Sequence, residues 1–258
     1  MANSPNHWTR SEILAAIYLY TKLRFGQLDH RNRDIIQLAN WLGRTPSSVS
    51  MKLSNLASLD ERIVESGRVG LKGASTLDRE IWAELDGNWD ATIREAGEIY
   101  DKLATSHGEE SDIDLLDEVK SSIATTRLST IEVRTTQARF RRSVLTSYNA
   151  TCCISGLSDA KLVVASHIIP WSKGIHDRMN PRNGLCLSAL HDKAFDRGLI
   201  TVLPNLRVCV SSTLKNHTDQ SPLMKLLLSC DGQRIVKPDR FSPREDFLTW
   251  HATVHGFI

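Results

Sequence analysis

Four side chains between Ala165 and Thr201 have the types that phosphodiester hydrolysis needs: His167, Asn183, His191 and Asp192. A neutral imidazole with a pKa near neutrality can take a proton from water. A carboxylate or second imidazole can hold a divalent cation where negative charge builds up on phosphate. His167 is therefore read as the base, and Asp192, His191 or both as metal ligands. Taken singly, a histidine at a strand end is most often structural and an Asn before Gly is a turn. The weight lies in the combined pattern.

The pattern also says how the elements hold these groups. Lys161–Ile169 is rich in Val and Ile and bounded by Asp159 and Pro170, which predicts a buried strand with His167 near its end. Trp171–Arg182, with Gly174 and Pro181, reads as a surface loop. Leu185–Leu187 is a second short strand. From Ser188 the spacing turns helical: Ser188 can cap, Leu190, Ala194 and Phe195 share a face, and Gly198 stops the helix. Adjacent helix positions do not share a face, so only one of His191 and Asp192 is expected at a metal, and Asp192 is the preferred one.

Three motifs carry a family resemblance: SHIIPW at Ser166–Trp171, NGL at Asn183–Leu185, and HDKAFDRGLI at His191–Ile200. Together they resemble the HNH endonucleases of the ββα-metal (His-Me finger) class, in the subgroup common in bacterial restriction systems, modification-dependent enzymes included. The resemblance covers about the last half of the chain. It implies that His167 is the general base, that Asn183 orients loop and histidine through hydrogen bonds, and that the last HNH residue falls in the His191-Asp192 pair, with Asp192 the better match. It also implies a divalent cofactor, Mg²⁺ or Mn²⁺, and double-stranded DNA as substrate. One departure is Ser166, where many members carry a metal-ligating Asp or His.

Composition allows this reading without demanding it. The chain has 258 residues, enough for two compact units, and 41% of them are hydrophobic, enough for cores. Net charge is only +2, so local basic clusters must carry any DNA contact. No apolar run reaches membrane length, and MANSPNHWTRSEI shows no charged-then-apolar signal, so a cytoplasmic protein is expected. The five cysteines contain no C-x-x-C pair, so they are read as reduced packing residues and no structural zinc is expected.

The N-terminal stretch, residues 1–100, reads as helical. Ile13, Leu14, Ile17 and Tyr18 mark a helix after a Thr9/Glu12 capping region. Asp34–Trp41 and a helix from Thr45-Pro46 to Leu56 are joined by LGRTPSS, like a helix-turn-helix, and Ser75–Leu85 forms another helix. The recognition surface would comprise Arg44, Ser47, Ser48, Ser50, Lys52 and Asn55. Residues 101–134 hold an acidic run and read as a linker.

The rest, residues 135–258, opens with the basic helix Thr135–Tyr148, where Arg139, Arg141 and Arg142 could grip phosphates, joined by Arg178, Arg182 and Arg197 further on. Val202–Ser211 reads as one strand, Ser221–Ser229 as a helix, and the C-terminal segment as a closing helix in which His251 and His255 share a face at metal-capable spacing but, without the Glu of a zincin motif, are read as packing or solvent-facing. The expectation is thus an α+β chain: a helical N-terminal domain with a helix-turn-helix-like hairpin, a linker, and a ββα-metal nuclease domain. Cutting both DNA strands with one site per chain calls for a homodimer. The alternative is a DNA-binding regulator, or a degenerate nuclease that binds without cutting.

Overall fold

The computed structural model describes residues 7–68, 71, 73–109, 127–174, 176–218 and 221–258, with side chains from 135 onward in the helix that starts at 127. Two compact units emerge, Met1–Arg139 and Phe140–Ile258.

The first unit is built round α1 (Arg10–Lys22), in which every side chain from Ile13 to Thr21 is buried. A helix apolar on all sides has to be surrounded. It is packed by α2 (Arg33–Trp41), α3 (Pro46–Ala57), α5 (Thr76–Gly87) and α6 (Trp89–Ser106), while α4 (Glu61–Glu65) is one short turn. The expected capping box forms: Thr9 N–H donates to Glu12 Oε2 at 2.7 Å, and Glu12 N–H to Thr9 Oγ1. The α2–α3 hairpin forms as well, turning at Gly43, whose φ of 61° suits glycine.

Helix α6 was not foreseen. Trp89, Ile93, Ala96, Tyr100 and Ala104 repeat at helical spacing and are all buried, which is the signal that could have found it. Its last turn runs into the stretch read as linker, and so does the start of α7 (Arg127–Ser147). Of the acidic run, all but Glu109 lies outside the described residues, as does the rest of the stretch from 110 to 126.

In the second unit, β1 (Val163–His167) and β2 (Gly184–Ser188) form an antiparallel hairpin in which His167 faces Gly184 and Val163 faces Ser188. Helix α8 (Ala189–Asp196) follows at once and packs back on both strands. This is the strand, loop, strand, helix order expected from the motifs. Phe140 and Val144 of α7 and Tyr148 just after it join Leu185, Leu187, Phe195 and Leu248 in one core. Gly184 lets α7 come close: a β-carbon there would overlap Val144 Cγ2 and stand 2.9 Å from Phe140 Cζ.

The strand expected over Val202–Ser211 is instead half of a hairpin. β3 (Ile200–Val202) turns at Pro204 and Asn205 and returns as β4 (Val208–Val210), pairing Ile200 with Val210. Pro204 has no N–H for a ladder and Leu206 sits at a φ of 62°, so the chain must turn where it was read as extended. Short α9 (Ser212–Lys215), α10 (Pro222–Ser229) and α11 (Glu245–Val254) complete the unit. The whole is an α+β chain, helices first. Among the described residues no helix is long and apolar enough to cross a membrane.

Candidate active site

His167 ends β1 with its ring stacked on Phe140, centroids 3.6 Å apart and planes at 13°, and with Trp171 edge-on at 5.9 Å. Its Nε2 lies 3.0 Å from the carbonyl oxygen of Arg178. A carbonyl can only accept, so Nε2 carries the proton and Nδ1 holds the free lone pair. Burial pulls the His167 pKa below the usual histidine value, against the opposing pull of the Arg178 carbonyl. The ring is therefore neutral at neutral pH.

Asn183 fixes the loop that supplies this carbonyl. It is fully buried, accepts from Ile169 N–H at 2.8 Å, and donates Nδ2 to the carbonyls of Ile169 (3.2 Å) and Asp177 (3.1 Å). Its own carbonyl accepts from Ile168 N–H at 2.9 Å. Next to it, Asn180 accepts from Arg182 N–H and donates to Asp177 Oδ1 at 2.8 Å. Arg178 closes the loop from within, donating Nε to the Trp171 carbonyl at 3.1 Å with its guanidinium 5.0 Å from that indole.

On α8 the two candidate ligands differ. Ser188 caps the helix, and its Oγ lies 2.7 Å from His191 Nδ1. His191 is 1% exposed, with Cys152 Sγ 3.9 Å from the same nitrogen and Nε2 enclosed without a partner. Burial pushes the Cys152 thiol up, but hydrogen bonds from His191 and Ser155 outweigh it and draw the pKa down to about 6. Asp192, one residue on, is half-buried. Burial and the nearby Asp192 raise the carboxyl of exposed Asp196.

Whether these groups suit a divalent cation turns on donor type and reach. Asp192 offers a hard oxygen donor within reach of solvent, as Mg²⁺ and Mn²⁺ require, and such ions commonly take one or two carboxylates and keep waters and phosphate oxygens. Among the described residues no three His, Cys, Asp or Glu side chains gather into a cage. The fit is to a cation held by Asp192 together with substrate and water. Ser166 Oγ is buried without a hydrogen-bond partner. The five cysteines are free thiols, four of them buried.

Several residues read as DNA contacts are otherwise engaged. Arg44 is paired with Glu12 at 2.7 Å and lies over Trp8. Lys52 is 6% exposed and bonds both oxygens of Asp78, at 2.7 and 2.8 Å. Ser50 donates to the Leu28 carbonyl, and Asn55 accepts from Gly73 N–H. Lys52, Ser50 and Asn55 of α3 thus hold the unit together, leaving Ser47 exposed and Ser48 half-buried. Arg139 is engaged likewise: it pairs with Asp101 at 3.0 Å and packs on Gly97 and Tyr18. Arg141 is exposed but donates to the carbonyls of Val163 and Ala160. Arg142, Arg178 and Arg182 stay half-buried in the second unit.

Residue types alone did not reveal Phe140 as the platform of His167, the Arg178 carbonyl as its hydrogen-bond acceptor, or Cys152 beside His191. Phe140 lies 27 residues before His167 in sequence, and a backbone carbonyl has no residue signature.

Residues 152–203 match the family model of the HNH endonucleases. The match spans β1, the loop, β2, α8 and β3, which are the elements that carry His167, Asn183 and Asp192. No curated protein matches the chain. Through this segment of its second unit, the chain is similar to the HNH endonucleases.

Proposed function

We propose that the second unit hydrolyses phosphodiester bonds of double-stranded DNA with His167 as general base. The observation that carries this is the hydrogen bond from His167 Nε2 to the Arg178 carbonyl, which leaves Nδ1 as an unprotonated base on a neutral ring. Nδ1 takes a proton from water, the water oxygen bonds to phosphorus, and the bond from phosphorus to the leaving sugar oxygen breaks. The leaving oxygen takes its proton from solvent. Asn183 keeps the loop, and so the Arg178 carbonyl, at the distance that holds the imidazole in place. Mg²⁺ or Mn²⁺, when bound at Asp192, supplies positive charge beside the phosphate. Arg142, Arg182 and Arg197, in the unit that carries this machinery, are assigned to the DNA backbone.

Within that reading the chain is a restriction or defence endonuclease acting as a homodimer, and dependence on base modification is the subgroup trait to test. Ser166 favours a second reading, DNA binding without cleavage, because a hydroxyl is a weak metal ligand where relatives use Asp or His. Incubation of the protein and His167→Ala with methylated, hydroxymethylated and unmodified plasmid, with Mg²⁺, Mn²⁺ or EDTA, separates the two. Metal-dependent cutting by the unaltered protein alone supports the enzyme, and the plasmid preferred reports the modification. Binding without cutting under every condition would sink it.

A further inference from the structure

The first unit has a surface cleft of about 430 Å³ between the outer face of α2 and the end of α6, lined by Arg33, Ile36, Gln37, Asn40, Trp41, His107 and Glu109. Its volume falls in the range of small-ligand sites. Arg33, Gln37 and Asn40 recur at i, i+4 and i+7, so one helix face presents all three. Among the described residues none of the three side chains is held by an ion pair or hydrogen bond. That contrasts with Arg44, Lys52 and Arg139 in the same unit, each of which is paired.

The floor is aromatic. The Trp41 and His107 rings lie 6.3 Å apart at 31°, and Trp41 is braced edge-on by Tyr100 at 5.1 Å. His107 Nδ1 lies 2.8 Å from the Leu103 carbonyl, which can only accept, so Nε2 is left as an acceptor. With Glu109 and the two amide oxygens, the cleft offers several acceptors. The amide nitrogens and Arg33 offer donors. A flat ring that presents an amine beside acceptor atoms meets both sets, and a phosphate attached to it meets Arg33.

We propose that this cleft binds a nucleotide whose base carries an exocyclic amine, with Trp41 and His107 against the ring, Gln37, Asn40 and Glu109 on its polar edge and Arg33 on its phosphate. The same chemistry is offered by a nucleotide extruded from DNA and by a free nucleotide. The DNA source rests on the nuclease reading; binding itself does not.

The test uses the full chain carrying His167→Ala, in EDTA, so that nothing is cut. Calorimetry with dAMP, dCMP and dTMP, and anisotropy with a duplex carrying 2-aminopurine, are run with and without Arg33→Ala and Asn40→Leu, both at exposed positions. Expected is at least tenfold weaker binding in each variant and preference for dAMP or dCMP over dTMP. Binding of the mononucleotides identifies a free nucleotide as the ligand; binding of the duplex alone, with 2-aminopurine brightening as it leaves the stack, identifies an extruded base. Affinities unchanged by both substitutions, or no binding of any probe, would overturn the proposal. Cleavage by the chain with His167 intact, measured in parallel, shows separately whether the nuclease reading stands.

Discussion

Asn183 holds the backbone of Ile169 with both ends of its side-chain amide, accepting from the N–H at 2.8 Å and donating to the carbonyl at 3.2 Å. The grip sits two residues beyond His167, and a third bond to the Asp177 carbonyl ties the far side of the loop. Replacing Asn183 with Ala leaves these buried backbone groups without partners, at a cost of about 3 kcal/mol in stability. Cleavage should fall at least a hundredfold while DNA binding changes little. Thermal unfolding and a plasmid assay check both, and unaltered cleavage would remove Asn183 from the machinery.

The His167 pKa lies below the usual histidine value because the ring is buried on Phe140. A base must be unprotonated, so the cleavage rate should climb with pH, reach half its limit below pH 6.5 and be flat through neutrality. His167→Ala should lose roughly 10²- to 10⁴-fold in rate. A rate that still climbs steeply between about pH 7 and 9 would point to another base.

Of the two α8 candidates, Asp192 is the one within reach of solvent, and His191 is enclosed against Ser188 and Cys152. Asp192→Ala should weaken Mn²⁺ binding, read by calorimetry, by about tenfold or more, with His191→Ala chiefly lowering thermal stability. The reverse order would transfer the ligand role to His191.

His251 makes the second unit sensitive to acid. It stacks on Phe195 at 3.7 Å, accepts from Thr201 Oγ1 at Nδ1 and donates Nε2 to the Phe195 carbonyl, so both nitrogens are used only when the ring is neutral. Burial, and then the neighbouring His255, lower its pKa from 6.5 to about 4. The unfolded chain therefore binds the extra proton between those values, and stability complete above pH 6.5 is lost as pH falls towards 4, by roughly 3 kcal/mol. Melting temperatures across that window should drop for the native protein and drop less for His251→Phe. Parallel curves would show that His251 is not the group responsible.

What was legible in the sequence is local. Hydrophobic period, caps and turn residues place β1, β2 and α8 in order, because each depends on neighbours within a few positions. The same rules lay out α1, the α2–α3 hairpin and α10. The three motifs that single out His167, Asn183 and Asp192 as candidates are local too, since each is a short run of residues.

What only the tertiary structure decided is which partner each side chain meets. Arg44 and Lys52 look like groove readers on a helix written out alone; folding sets them against Glu12 and Asp78, which are distant in sequence, and engages them in ion pairs. Nothing near His167 in sequence announces Phe140 as its platform, and the glycine at 184 shows its purpose only where α7 closes on it. Long-range pairing depends on how elements pack, and residue types at short spacing do not encode it.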